Sequence, residues 1–249
     1  MVASPDRCFG PDYLEQLVLR DGSRVQLRLI RASDKERLTA GLAQLSPQSR
    51  YLRFFTDKDR LTDGELRYFT EVDGEDHFAL GVALLEDDGS EGEGVGIGRF
   101  VRLRDEPKVA EPALAVLDAM QGQGLGRLLM LRLISAATER GVERFRCDFL
   151  AINRSMGDLL RNVSSGVVFK SDGPVVTAEF PLPNVAPDVS VDEAEQGGPM
   201  LSWLKLAAEQ VVQLRRRLTV RSEHVRERWH ELQDEITVRA RKIRGDEES

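Results

Sequence analysis

The sequence predicts an α/β fold, a mixed β-sheet flanked by helices, with a long helix appended at its C-terminal end. Three observations carry this. Strand-like apolar runs alternate with segments whose apolar residues recur every three or four positions. One such alternation, residues 111 to 140, passes from an apolar run through a glycine-rich turn into an amphipathic pattern. Residues 200 to 244 contain neither glycine nor proline and repeat apolar residues in 4-3 steps.

Composition bounds the reading. At 249 residues and 41% hydrophobic content, the chain can hold a medium domain with a real core plus an appendage. A net charge of −7 disfavours general nucleic-acid binding, which needs a basic face. Cys8 and Cys147 provide neither a disulfide framework nor metal-ligand spacing, so no metal is expected. The N-terminus lacks the apolar core of a signal peptide and no run approaches a membrane span, so the expected location is the cytoplasm.

Residues 1 to 23 read as a lead-in, with Tyr13, Leu14, Leu17 and Val18 available for one docking turn and Asp21-Gly22 as a hairpin-type turn signal. Val25, Leu27 and Leu29 alternate with Gln26, Arg28 and Ile30, the pattern of a half-buried strand over 24 to 31. Ser33 or Asp34 can cap the helix carrying Leu38, Leu42 and Leu45. Ser46-Pro47 starts another helix, with proline at its first position. The stretch SPQSRYLRFF has two readings: an aromatic face buried on the sheet, or a wall of the acceptor groove with Arg50, Tyr51 or Arg53 on substrate. Thr62 and Glu65 form a capping-box pair for a third helix ending near Thr70.

Strands are predicted at His77 to Leu85 and Gly94 to Leu103, joined by the acidic run EDDGSEGEG as a solvated hairpin loop. A further strand covers Val109 to Leu117, and another Phe145 to Leu150. Asn153, Met156, Leu159 and Leu160 mark the next helix, and a hairpin across Ser171 to Pro174 closes the sheet. Residues 183 to 199, rich in proline, glycine and acids, read as a linker. The 200 to 249 segment reads as an amphipathic, coiled-coil helix. Its expected uses are self-association or docking to a partner helix through 200 to 244, folding back on the preceding domain, or membrane-surface or nucleic-acid contact through Arg215-Arg216-Arg217.

Chemistry concentrates in residues 111 to 140. The apolar run Ala113 to Leu117 has the length of a buried strand, and Gln121-Gly122-Gln123-Gly124-Leu125-Gly126 forms the turn. Leu128, Leu129, Leu131, Ile134 and Ala137 continue as a helix, which Gly141 ends. The first turn of a helix carries unpartnered N–H groups and partial positive charge, so this arrangement is a cradle for an anion such as a phosphate. Arg127 adds a fixed cation. The spacing fits neither a Walker loop nor the G-x-G-x-x-G dinucleotide turn.

It does match Q/R-x-x-G-x-G/A, read as Gln121-x-x-Gly124-x-Gly126, and so resembles the pyrophosphate loop of the GNAT N-acetyltransferase superfamily. With RDGSRVQLRLIRASD, LSPQSRYLRFF and AINRSM, the chain is similar to the acetyltransferase domains related to bacterial protein-lysine acetyltransferases, over residues 24 to 182. The resemblance implies transfer of an acetyl group from acetyl-CoA to a primary amine, on a protein lysine or a small molecule. The alternative is a non-catalytic acyl-CoA-binding module that regulates a partner through the tail.

By the same resemblance, the backbone of residues Gly122, Gln123, Gly124, Leu125, Gly126 and Arg127, beside Gln121, holds the pyrophosphate. The backbone of Leu114, Val116 and Leu117 pairs with the pantetheine arm, and an N–H near Val116 polarises the thioester. Asn153 either touches the pantetheine or caps its helix. Glu111 stands where this branch carries a glutamate and is the candidate general base, against an exposed strand-end carboxylate as the plain reading. His77 is a second candidate base, but a lone histidine opening a strand is more often structural. Asp118 reads as a loop or cap residue. The position where many members carry an acidic tyrosine, seven residues after Asn153, is Leu160 here.

Overall fold

A computed structural model describes residues 7–56 and 58–183. The expected C-terminal helix, all but the first residue of the expected linker, and the association assigned to them lie outside the described residues. The described residues form an eight-stranded sheet in the order β1-β2-β3-β4-β5-β6-β8-β7. These strands are β1 (Leu14–Val18), β2 (Arg24–Leu29), β3 (His77–Leu85), β4 (Glu91–Arg102), β5 (Val109–Val116), β6 (Arg144–Leu150), β7 (Val168–Asp172) and β8 (Val175–Pro181). All neighbours are antiparallel except β5 and β6. The helices are α1 (Lys35–Gln44), α2 (Pro47–Phe54), α3 (Asp63–Thr70), α4 (Leu125–Glu139) and α5 (Arg154–Val163).

Local signals set several of these boundaries. Ser49 N–H donates to Ser46 Oγ at 3.1 Å ahead of Pro47. Thr62 and Glu65 exchange both capping-box hydrogen bonds. Asp34, however, does not cap α1 with its side chain. Its carboxylate accepts from Arg31 N–H and takes two hydrogen bonds from the Arg28 guanidinium, all at 2.8 Å, because a buried arginine outbids a helix terminus for the charge.

Two other expectations change. Leu14–Val18 is a strand rather than a docking turn, and pairs with β2 across the Asp21-Gly22 hairpin. The sheet therefore begins ahead of position 24. The acidic run is a loop only as far as Ser90, whose carbonyl accepts from Glu86 N–H at 3.0 Å. From Glu91 onward it is strand, because Glu91 turns inward to Arg28 and Arg37.

The sheet has two unlike faces. On one, the rings of Phe78, Phe100, Phe145 and Phe180 meet in succession at 5.4, 5.9 and 5.8 Å. Leu129 and Leu133 of α4, both fully buried, pack over Gly98 on this side. Burial of such side chains supplies about 1.5–3 kcal/mol each. The other face carries Gln26, Arg28, Arg99 and Glu111 by the strand register and lies under α1, α2 and α3. Among the described residues no helix is long and apolar enough to cross a membrane.

The sheet opens between β5 and β6. These strands pair only at Val109↔Arg144 and Ala110↔Phe145. Val109 C=O accepts from Leu103 N–H and Leu117 N–H donates to Val95 C=O, so the odd positions of β5 direct their backbone groups to β4. The even positions face β6. Pro112 is one of them, and without an N–H it cannot continue the ladder.

Candidate functional site

A cleft of about 1410 Å³ runs from the start of α4 along the open side of β5 to α2 and α3. That volume exceeds the roughly 300–1,000 Å³ of an ordinary small-molecule site. It suits a long ligand together with a second reactant.

At one end lies the glycine turn. Gly122 and Gly124 have φ of +78° and +89°, a region that side chains with a Cβ rarely adopt. The first intrahelical bond of α4 runs from Leu128 N–H to Gly124 C=O. The N–H groups of Leu125, Gly126 and Arg127 precede it and have no partner within the helix. The fifteen residues of α4 add the positive end of its dipole.

Arg127 Nη1 is buried without a hydrogen-bond partner. Burial, and then the charge of Arg20, lower the Arg127 pKa. Arg20 reaches the cleft from the β1–β2 turn and was not anticipated, since nothing in its local sequence ties it to α4. Two cations with an orphaned buried donor fit the phosphates of a CoA-type ligand.

The other predicted contacts divide. Gln121, Gly122, Gly124, Gly126 and Arg127 line the cleft, as do Leu114 and Val116, whose even positions turn their backbone toward it. The Gln121 side-chain amide donates to Val116 C=O at 3.3 Å, bracing the turn against the strand. Gln123 does not line the cleft, and Leu125 is 1% exposed, its side chain in the core. Leu117 is a correction: it is buried, and its N–H is engaged by Val95 C=O at 3.0 Å, so it has none to offer a pantetheine arm.

Asn153 lines the cleft and caps α5, its Oδ1 accepting from Met156 N–H at 3.1 Å. Leu160 is fully buried, so its position does not face the cleft; Met156, Leu159 and Asn162 do. Asp118 accepts from Ser46 N–H and from the Ser46 and Ser49 hydroxyls, tying the loop after β5 to α2. Burial pushes its carboxyl up, and those hydrogen bonds outweigh the effect and hold it low.

Glu111 is partly buried and lines the cleft, within electrostatic reach of Arg53. Of the three α2 candidates, Arg53 lines the cleft, whereas Arg50 does not and Tyr51 is 44% exposed elsewhere. His77 lies outside the lining, behind Arg99, with its Nε2 3.3 Å from Arg99 Nη1 and its ring 4.7 Å from that of Tyr68. Arg99 and Tyr68 complete this end of the cleft. Sequence reasoning missed both, because a lone arginine in a strand reads as solvent-facing. Among the described residues no group of three or more metal-ligating side chains comes together.

Comparison with known proteins places this geometry. A family model described as the acetyltransferase (GNAT) family matches residues 44–159. Acetyltransferase PA5475 of Pseudomonas aeruginosa is 34% identical over 150 residues, covering 60% of this chain and 78% of its own length. Acetyltransferase Pat of Mycolicibacterium smegmatis is 33% identical over 167 residues, covering 67% of this chain. The match takes in only 48% of that relative's length. The crystal structure of the GNAT domain of S. lividans PAT aligns with a TM-score of 0.61 at 31% identity, over 70% of this chain and 99% of that one. Sequence, family model and superposed fold agree, and the chain belongs to the GNAT acetyltransferase family.

Proposed function

We propose that this protein transfers an acetyl group from acetyl-CoA to a primary amine, with Glu111 as general base. The observation that carries the reading is the set of unpaired N–H groups at the start of α4, beside the strand edge that β6 leaves open. Gly122, Gly124, Gly126, Arg127 and Arg20 hold the phosphates, and the backbone of Leu114 and Val116 extends the sheet by pairing with the pantetheine arm. Acetyl-CoA supplies the acyl thioester and a thiol leaving group.

The Glu111 carboxylate takes the proton that the amine loses. The neutral amine nitrogen forms a C–N bond to the carbonyl carbon, sheds that proton to Glu111 as it does so, and the C–S bond breaks. Val116 N–H, on the open side of β5, donates to the carbonyl oxygen as charge builds there. The thiolate takes its proton from water, since α5 contains no tyrosine and thiols leave readily.

The test is calorimetry with acetyl-CoA, followed by thiol release with a panel of amines. Wild type binds and turns over. Gly124→Glu places a Cβ at φ +89° and a carboxylate in the phosphate cradle, and loses binding by at least about 100-fold. Glu111→Gln keeps binding and loses roughly 100-fold or more in kcat. Binding without turnover by any amine would overturn the enzyme reading, and absence of binding would overturn the cradle itself.

A further inference from the structure

The end of the cleft away from the glycine turn holds two cations that the transfer chemistry does not use. Arg99, on β4, is 5% exposed. Its guanidinium lies 4.1 Å above the Phe69 ring and contacts His77 Nε2 at 3.3 Å. Arg53 enters from α2, close enough for its charge to act on Arg99 and on Glu111. The one carboxylate whose charge acts on Arg53 among the described residues is Glu111, and the charges that act on Arg99 are those of Arg53 and Tyr68. Burial, then the Arg53 charge, push the Arg99 guanidinium down to about 9, so it stays charged at neutral pH. Two like charges held in a half-enclosed cleft favour the entry of an anion.

Resting on the acetyltransferase reading, we propose that Arg53 and Arg99 bind a carboxylate of the acceptor, which is a small amine of amino-acid type. Register supports the placement. Val101 pairs with Glu111 and Arg99 with Ala113, so Arg99 and Glu111 are diagonal neighbours on one face, their backbones about 7–8 Å apart. A short amino acid bound between these side chains turns its amine toward Glu111 and its carboxylate toward the two guanidinium groups.

Charge supports the class. With Glu111 on the same face, Arg53 and Arg99 leave one positive charge among these three side chains uncompensated, which a single substrate carboxylate offsets. The guanidinium groups also lower the pKa of a nearby ammonium and so raise the share of neutral, nucleophilic amine. An acetyl group carries no carboxylate, which leaves the acceptor as its source. Phe69 and His77 fix the position of the Arg99 guanidinium, and a planar guanidinium so fixed is a better partner for a carboxylate than a mobile one.

The experiment uses the full chain with saturating acetyl-CoA and the proteinogenic amino acids, each beside its α-carboxamide. Thiol release gives kcat/KM for each pair, and calorimetry with CoA present gives binding in the absence of turnover. At least one amino acid should exceed its carboxamide by about 100-fold or more. Arg99→Met and Arg53→Met should erase that preference while acetyl-CoA binding is retained, and Arg99→Lys should restore part of it. Equal rates for acid and carboxamide, or no binding of any amino acid to a protein that binds CoA, would overturn the proposal. So would an Arg99-dependent preference for succinyl-CoA over acetyl-CoA, which would put the carboxylate on the acyl group. Failure to bind acetyl-CoA at all would instead indict the underlying reading.

Discussion

Arg28 and Arg99 project from the same face of one sheet and are buried to the same degree, 7% and 5% exposed. Their surroundings are opposite. Arg28 lies between two carboxylates, with two hydrogen bonds to Asp34 at 2.8 Å and others to Glu91 at 2.5 and 2.8 Å. Those bonds, Asp34 first and Glu91 second, raise its affinity for its proton against the pull of burial. Arg99 has a histidine and an aromatic ring, and its affinity for a proton is lowered. A buried cation that stabilises a fold comes with its counter-charges, because desolvating it alone is too costly. One that faces a cleft without them is a site for something that arrives.

The sharpest way to break this contrast is unfolding by urea or heat. Asp34→Ala strips Arg28 of two hydrogen bonds and Arg31 N–H of its acceptor, and should cost about 3 kcal/mol. Arg99→Met removes a cation that has no carboxylate to lose and should change stability by no more than about 1 kcal/mol. Similar losses for both variants would make Arg99 a structural residue and end the contrast.

Acid titration is the next lever. Hydrogen bonds from Arg28, joined by those from Arg37 and Gln26, hold the Glu91 carboxyl down to about 2 against burial, which raises it. A carboxyl depressed in the folded state stabilises above its unfolded pKa, and that contribution is lost as pH falls toward about 2. The network should therefore lose roughly 2–3 kcal/mol between about pH 4.5 and 2. Glu91→Gln should flatten the stability profile in that window and leave it unchanged near neutrality in slope.

The smallest effect extends the contrast to the cleft's other end, where Arg20 and Arg127 also face each other as like charges. Arg20→Ala should weaken acetyl-CoA about fivefold at low salt. The difference should shrink at 1 M salt, where screening reaches within about 3 Å. A salt-independent loss would mean that Arg20 acts by packing.

Much of the cradle is legible in the sequence, because its signals are local. The strand–turn–helix order, the glycines at 122 and 124, and the caps at Ser46 and Thr62 depend on a few neighbouring residues each. Leu14–Val18 was harder to read: Leu14 and Val18 are 53% and 57% exposed, so an edge strand offers little apolar pattern until its partner is known. Leu117 misled for a similar reason. Strand periodicity assigns a side, but only the position of β4 shows which neighbour takes its N–H.

The amino-acid sequence thus determined the elements, their order and the anion-binding turn, since backbone conformation and side-chain periodicity act over spans of one strand or helix. The tertiary structure alone decided which charges are spent and which are left over. Arg28 meets Glu91 across 63 positions, and Arg53 meets Arg99 across 46. A charge takes its value from burial and from the distance to its counter-charge, and neither is written in the residues beside it.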